Sequence, residues 1–143
     1  MNINNISPDE WGPYAWKFMH YITLAYPDNP SDIDKQNMRA FFSSIGNILP
    51  CEKCRLNFLK HTSSIPLNEN VLSSRFDLVN WLINIHNEVN KINGKKILSY
   101  DEVMETYLYK KNDNCIIVNT RTAVIIISIV IIVILVVVMK CID

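Results

Sequence analysis

Two cysteines separated by two residues, Cys51-Glu52-Lys53-Cys54, follow Pro50 at the head of a helical stretch. On a first helical turn, positions i and i+3 face the same way, so the two sulfurs lie within reach of a disulfide, and the positive end of a helix favours thiolate over thiol. The chemistry this spacing suggests is electron transfer through sulfur. A C-x-x-C alone is weakly specific, because zinc sites, thioredoxin-like oxidoreductases and plain buried cysteines share it. Two further pairs add to it. Trp16 and His20 are four residues apart, as are His86 and Asn90, so each pair occupies one helical face. Histidine and asparagine on an otherwise apolar face need hydrogen-bond partners, and a flat heteroaromatic ligand rich in acceptors supplies them. Taken singly, His20 and Trp16 read equally well as a satisfied core histidine and ordinary core packing.

Positioning these groups takes a helical scaffold. Apolar residues recur at helical spacing with little sustained period-two alternation, and five helices are predicted. Ser7, Pro8 and Glu10 resemble a cap, a first-turn proline and a capping-box acid, opening a helix that runs to about Tyr26, before Pro27 and Pro30. Ser31 or Asp32 caps the second, which carries Ile33, Met38, Phe41, Phe42, Ile45 and Ile48 until Pro50 ends it. The third begins at the dithiol, turns Leu56, Phe58 and Leu59 inward, and fades between His61 and Pro66. The fourth spans about Val71 to Asn93 with Gly94 as its stop, and Ser99 caps a fifth reaching Tyr109. The economical architecture is all-α, a four-helix bundle with a short fifth helix.

The chain has 143 residues and zero formal net charge, which fits one small domain and offers no electrostatic case for a nucleic-acid partner. From Ala123 to Met139 the residues are apolar apart from Ser128, between Arg121 and Lys140. Seventeen such residues cover roughly 25 Å as a helix, and Thr122 and a snorkelling Lys140 extend that toward a bilayer's thickness. The expected organisation is a domain over 1–110, a linker over 111–121, a transmembrane helix over 122–140 and a short tail at 141–143. The first thirty residues hold no basic stretch followed by an apolar one, so the insertion signal is C-terminal. Lys110, Lys111 and Arg121 precede the span, which predicts a single-pass, C-terminally anchored protein with its domain in the cytosol. A cysteine pair kept in a reducing cytosol is more often catalytic or metal-binding than structural.

Three stretches in order, Trp16-x3-His20-x5-Tyr26-Pro27, Leu49-Pro50-Cys51-Glu52-Lys53-Cys54 and His86-Asn87-Glu88-Val89-Asn90, resemble the signature of the Erv/ALR family of flavin-linked sulfhydryl oxidases. The resemblance covers about residues 11 to 110, and the Asn, Ile and Lys bias is similar to that of the versions carried by large cytoplasmic DNA viruses. It implies non-covalent FAD inside the bundle, with Trp16, His20 and Tyr26 contacting it from the first helix and His86, Asn87 and Asn90 from the fourth. Lys95 matches a family lysine near the phosphates. Cys54 would be the cysteine next to the flavin and Cys51 the one that exchanges with substrate. The implied activity is a thiol oxidase that passes electrons from dithiols through the cysteine pair and flavin to molecular oxygen, releasing hydrogen peroxide. Its implied partners are a protein dithiol or a small thiol-disulfide carrier protein, oxygen, and a second copy of the chain docked through helices one and two. Phe41, Phe42 and Ile45 offer more apolar surface there than one inward face needs. With membrane lipid as a further partner, the expected location is a virion or host membrane.

The chain also departs from the cellular members. No cysteine lies between Cys54 and Cys115, so their additional structural disulfide is missing, and Cys115 is single, so a second shuttle dithiol cannot be built within one chain. Pro13 stands where those members often have an arginine. Two other readings remain: a structural zinc site from Cys51, Cys54, His61 and His86, and a membrane-tethered interaction module without catalysis.

Overall fold

Of the five α-helices within residues 6–109, four start on a serine and the remaining one starts on Cys51. In the computed structural model the described residues are 6–109, with 125, 127–129, 131, 132, 134 and 139. The elements are α1 (Pro8–Leu24), α2 (Asp32–Ile48), α3 (Glu52–Ser64), α4 (Arg75–Ile92) and α5 (Tyr100–Tyr107), with a 3-10 turn at Val71–Ser73. Ser7, Ser31, Ser74 and Ser99 each accept a hydrogen bond from a first-turn amide, which satisfies a donor the helix cannot pair internally. At Ser31 and Ser99 the return bond from Asp34 and Glu102 completes a capping box. At Ser7 the cap is made to Asp9, and the box acid expected at Glu10 makes no return bond among the described residues.

Two expected boundaries shift. α1 stops at Leu24 rather than Tyr26, because a residue before proline is pushed out of the helical region. Tyr26 then turns inward, 1% exposed, and its hydroxyl donates to the Leu72 carbonyl at 3.1 Å. α4 begins at Arg75 rather than Val71: Ser74 is extended (φ −154°) and caps the helix, while the preceding apolar residues form the 3-10 turn.

The core forms around α4, which packs against α1, α3, α5 and the 3-10 turn. Leu78, Trp81, Leu82 and Ile85 of α4 meet Met19, Phe42 and Phe58 from the three other long helices. A second cluster joins Leu24, Val79, Ile83 and Val103, fastening α5. On α3 the inward stripe is Cys54, Phe58 and His61, so Leu56 and Leu59, expected inside, face outward. Leu59 nonetheless covers Gly46. A Cβ there would come within 2.9 Å of the Leu59 side chain and 3.2 Å of Phe58, so the glycine lets α2 approach α3 closely. The α3–α4 connection is held by side chains reaching backbone carbonyls: Arg39 to Leu67 at 2.8 Å and Trp81 Nε1 to Ile65 at 2.8 Å.

The chain separates into two compact units, Met1–Lys110 and Lys111–Asp143. In the second, the described residues, six isoleucines with Ser128 and Met139, are helical and exposed. Among the described residues no helix is long and apolar enough to cross a membrane. The linker expected at 111–121, most of the span expected at 122–140 and the tail at 141–143 lie outside the described residues.

Candidate active site

Pro50 ends the approach from α2, and Cys51 takes an extended conformation (φ −113°, ψ 123°) as the N-cap of α3. Its sulfur accepts from the Cys54 amide at 3.2 Å, and the two cysteines, with Cα atoms 5.1 Å apart, are joined as a disulfide. Both are half-buried, and Cys54 also packs against the main core cluster. The helix start therefore fixes the sulfur pair at the protein surface while anchoring one member from beneath.

Across from it, α1 and α4 bring their aromatic residues together. Trp16 stacks on His86 with centroids 3.9 Å apart and planes 6° from parallel. His86 Nδ1 lies 3.1 Å from His20 Nε2. His20 is stacked on its other side by Tyr107 of α5, with centroids 4.9 Å apart. Burial holds the His20 imidazole well below its usual value, at about 4. His86 is lowered to about 3, by burial first and then by His20 and Lys95. Both rings are therefore neutral at pH 7.

Dithiol and stack line one cleft of about 460 Å³, within the range of small-molecule sites. Its walls include Met19, Leu49, Phe58 and Val89, which are apolar, and its polar groups include the amides of Asn57, Asn90 and Asn93 and the Asp9 carboxylate. The Asn90 side chain, on a residue only 5% exposed, has no hydrogen-bond partner among the described residues and remains available to a ligand. Lys53 and Lys95 supply positive charge to the lining. Lys95 is placed there by the helix stop: Gly94 takes the left-handed conformation (φ 62°), and the Lys95 amide returns to the Asn90 carbonyl at 2.9 Å. An apolar slot with a parallel aromatic wall, unspent amides and two cations suits a flat heteroaromatic group joined to phosphates.

Of the residues singled out in the sequence, Cys51, Cys54, Trp16, His86, Asn90 and Lys95 line this cleft. Three do not. His20 is fully buried behind His86. Tyr26 is spent on the Leu72 carbonyl. Asn87, one position round the helix from His86, exchanges two 2.8 Å hydrogen bonds with the Leu98 backbone and pins the α4–α5 connection. The zinc arrangement is not formed: Cys51 and Cys54 are disulfide-bonded, and among the described residues no group of three or more His, Cys, Asp or Glu is placed to hold a metal ion. Sequence reasoning missed Trp11, Asn57 and Tyr107 in the lining. Tyr107 carried no local signal, being brought in by the docking of α5.

Comparison with known proteins follows the same outline. A family model described as Erv1/Alr matches residues 13–108. A protein of Acanthamoeba polyphaga mimivirus named "Probable FAD-linked sulfhydryl oxidase" is 49% identical over 100 residues, covering 70% of each chain. The FAD-linked sulfhydryl oxidase of African swine fever virus is 30% identical over 97 residues, 68% of this chain and 79% of that one. Among solved structures, the FAD binding domain of Erv1 from Saccharomyces cerevisiae superposes with a TM-score of 0.65 at 26% identity, covering 71% of this chain and 94% of that one.

Proposed function

The chain belongs to the Erv1/Alr family, and from that premise we propose that it is a membrane-anchored, FAD-linked sulfhydryl oxidase that forms disulfides in protein substrates. The observation that carries this reading is the presence of the Cys51–Cys54 disulfide and the Trp16–His86 stack in a single cleft. The Trp16–His86 stack would form the aromatic wall beside the flat ring, Asn90 would hydrogen-bond its edge, and Lys53 and Lys95 would meet the phosphates. When bound, FAD supplies a two-electron acceptor for the reduced cysteine pair and a route for those electrons to oxygen, giving hydrogen peroxide.

The protein's own part is thiol–disulfide exchange. A substrate thiolate attacks the Cys51 sulfur, and the Cys54 sulfur leaves as thiolate. The second substrate thiol, deprotonated, then attacks the substrate sulfur of the mixed disulfide and releases Cys51. The substrate is oxidised by two electrons, and Cys51 and Cys54 are left reduced. The N-cap position supports Cys51 as the exchanging sulfur, and the core contact supports Cys54 as the inner one.

Two features bear on assembly and placement. Tyr14, Phe18 and Tyr21 are exposed on α1, and Phe18 meets Phe41 of α2 edge-on at 6.2 Å. This aromatic face supports a homodimer joined through α1 and α2. The apolar run from Ala123 to Met139 supports a C-terminal anchor in a virion or host membrane, with the oxidase domain on the cytosolic side. The test of function is oxygen consumption by the full chain, purified in detergent with FAD and given a reduced, unfolded protein. Peroxide and substrate disulfides should form together. An FAD-loaded protein that consumes no oxygen with this substrate or with a small dithiol would sink the oxidase reading.

A further inference from the structure

His20 belongs to the sequence signature yet cannot touch a ligand in the cleft. It is 0% exposed, and its ring is held by Tyr107 on one side and by the hydrogen bond to His86. Its Thr23 neighbour is occupied, donating its hydroxyl to the His20 carbonyl at 3.0 Å. His20 Nδ1 is buried and has no partner among the described residues.

Only one proton fits between His20 Nε2 and His86 Nδ1, which leaves two arrangements of the neutral rings. In the first, His20 donates from Nε2, and His86 carries its own proton on Nε2. In the second, His86 donates from Nδ1, its Nε2 is bare, and His20 carries a proton on Nδ1. The second arrangement buries an N–H donor with no acceptor. The first buries a bare nitrogen, and an unpaired buried N–H is the rarer and costlier of the two. Burial keeps both imidazoles neutral at pH 7, so neither arrangement is relieved by a second proton.

We propose that His20 is a positioning residue that locks His86 in the Nε2–H tautomer, so that His86, stacked on Trp16, offers a hydrogen-bond donor to an acceptor atom of the ligand in the cleft. The identity of that ligand rests on the FAD reading; the tautomer does not. The ligand edge beside His86 must then be an acceptor, and a donor placed there is rejected because two N–H groups would face each other without a partner.

The chain has three histidines, so ¹⁵N spectra of the labelled full chain in detergent resolve each ring. At pH 7, before and after FAD is added, His86 should carry its proton on Nε2 and have a bare Nδ1. His20→Gln, whose amide can donate from the same place, should preserve that tautomer and hold FAD within about threefold of the wild type, whereas His20→Leu should release the tautomer and weaken FAD about tenfold, the loss of one hydrogen bond. A wild-type His86 protonated on Nδ1, or an unchanged tautomer in His20→Leu, would overturn the proposal. If His20→Leu does not fold, the wild-type and His20→Gln spectra still decide the matter. The expected tautomer in a wild-type chain that binds no FAD would overturn the cofactor reading while supporting the role of His20.

Discussion

The two ends of the cleft are built in opposite ways. Cys51 and Cys54 sit at the first turn of α3 with Pro50, Glu52, Lys53 and Leu56 exposed around them. At the other end His20, Ile85 and Asn90 are buried, and two stacked ring pairs, Trp16 on His86 and Tyr107 on His20, are joined by the His20–His86 hydrogen bond. A sulfur pair that must meet one macromolecular dithiol after another needs an approach open to solvent. A pocket that holds one planar group needs its walls fixed beforehand, because binding strength lost to ordering is not recovered. Substitutions at the open end should therefore stop chemistry and leave the fold, and those at the closed end should loosen the ligand or the fold.

The largest contrast is expected from the cysteines. Cys51→Ser and Cys54→Ser should each lower oxidase turnover to background while melting close to the wild type and retaining FAD; wild-type turnover in either would remove the open end from the mechanism. Trp16→Ala, at the closed end, should keep the disulfide intact and weaken FAD roughly 10- to 100-fold, the range for losing one stacked aromatic contact. Undiminished flavin content after dilution would show that the stack is not the ring's wall.

Acid should also act on the closed end. The folded His20 and His86 values lie below the unfolded 6.5, so the unfolded chain binds more protons as pH falls. Stability from this pair is full above about pH 6.5 and is lost as pH falls toward 4 and then 3, with His20 alone accounting for on the order of 3 kcal/mol. Tyr107 and Lys95 are the other titratable groups facing the pair, and burial raises the Tyr107 hydroxyl, which stays neutral through this window. Denaturant unfolding of the FAD-free chain should thus be steeper in pH for the wild type than for His20→Gln; parallel slopes would contradict the burial. The smallest effect belongs outside the cleft. Asn87→Ala strands the Leu98 N–H and C=O, which should cost about 2 kcal/mol of stability. FAD affinity should change little; a large loss of affinity at unchanged stability would return Asn87 to the site.

Much of this was legible in the sequence because it is local. Ser7, Ser31, Ser99 and Gly94 mark helix ends through chemistry within four residues. The dithiol and the i, i+4 pairs needed only helical spacing to be placed on faces. What was missed depends on tertiary packing. The apolar sequence Val71-Leu72 reads as helix, but burying Leu72 beneath the Tyr26 hydroxyl takes a tighter turn, and α4 starts afresh at Ser74. Leu56 and Leu59 have the composition of a core face, yet the stripe on α3 is set by how closely Gly46 admits it. His20, Tyr26 and Asn87 lie within or beside the motif, and a motif does not distinguish a residue that touches a ligand from one that supports its neighbour.

The central claim is that one cleft couples the Cys51–Cys54 pair to a flavin held by Trp16 and His86. Anaerobic titration of the FAD-loaded full chain with a small dithiol tests it directly, because oxygen can no longer mask the state of the flavin. At most two dithiols per flavin, one for the Cys51–Cys54 disulfide and one for the ring, should bleach the visible absorbance of the wild type, whereas Cys54→Ser, equally loaded, should stay yellow. Bleaching of Cys54→Ser at the wild-type rate, or a wild-type flavin untouched by excess dithiol, would contradict the account.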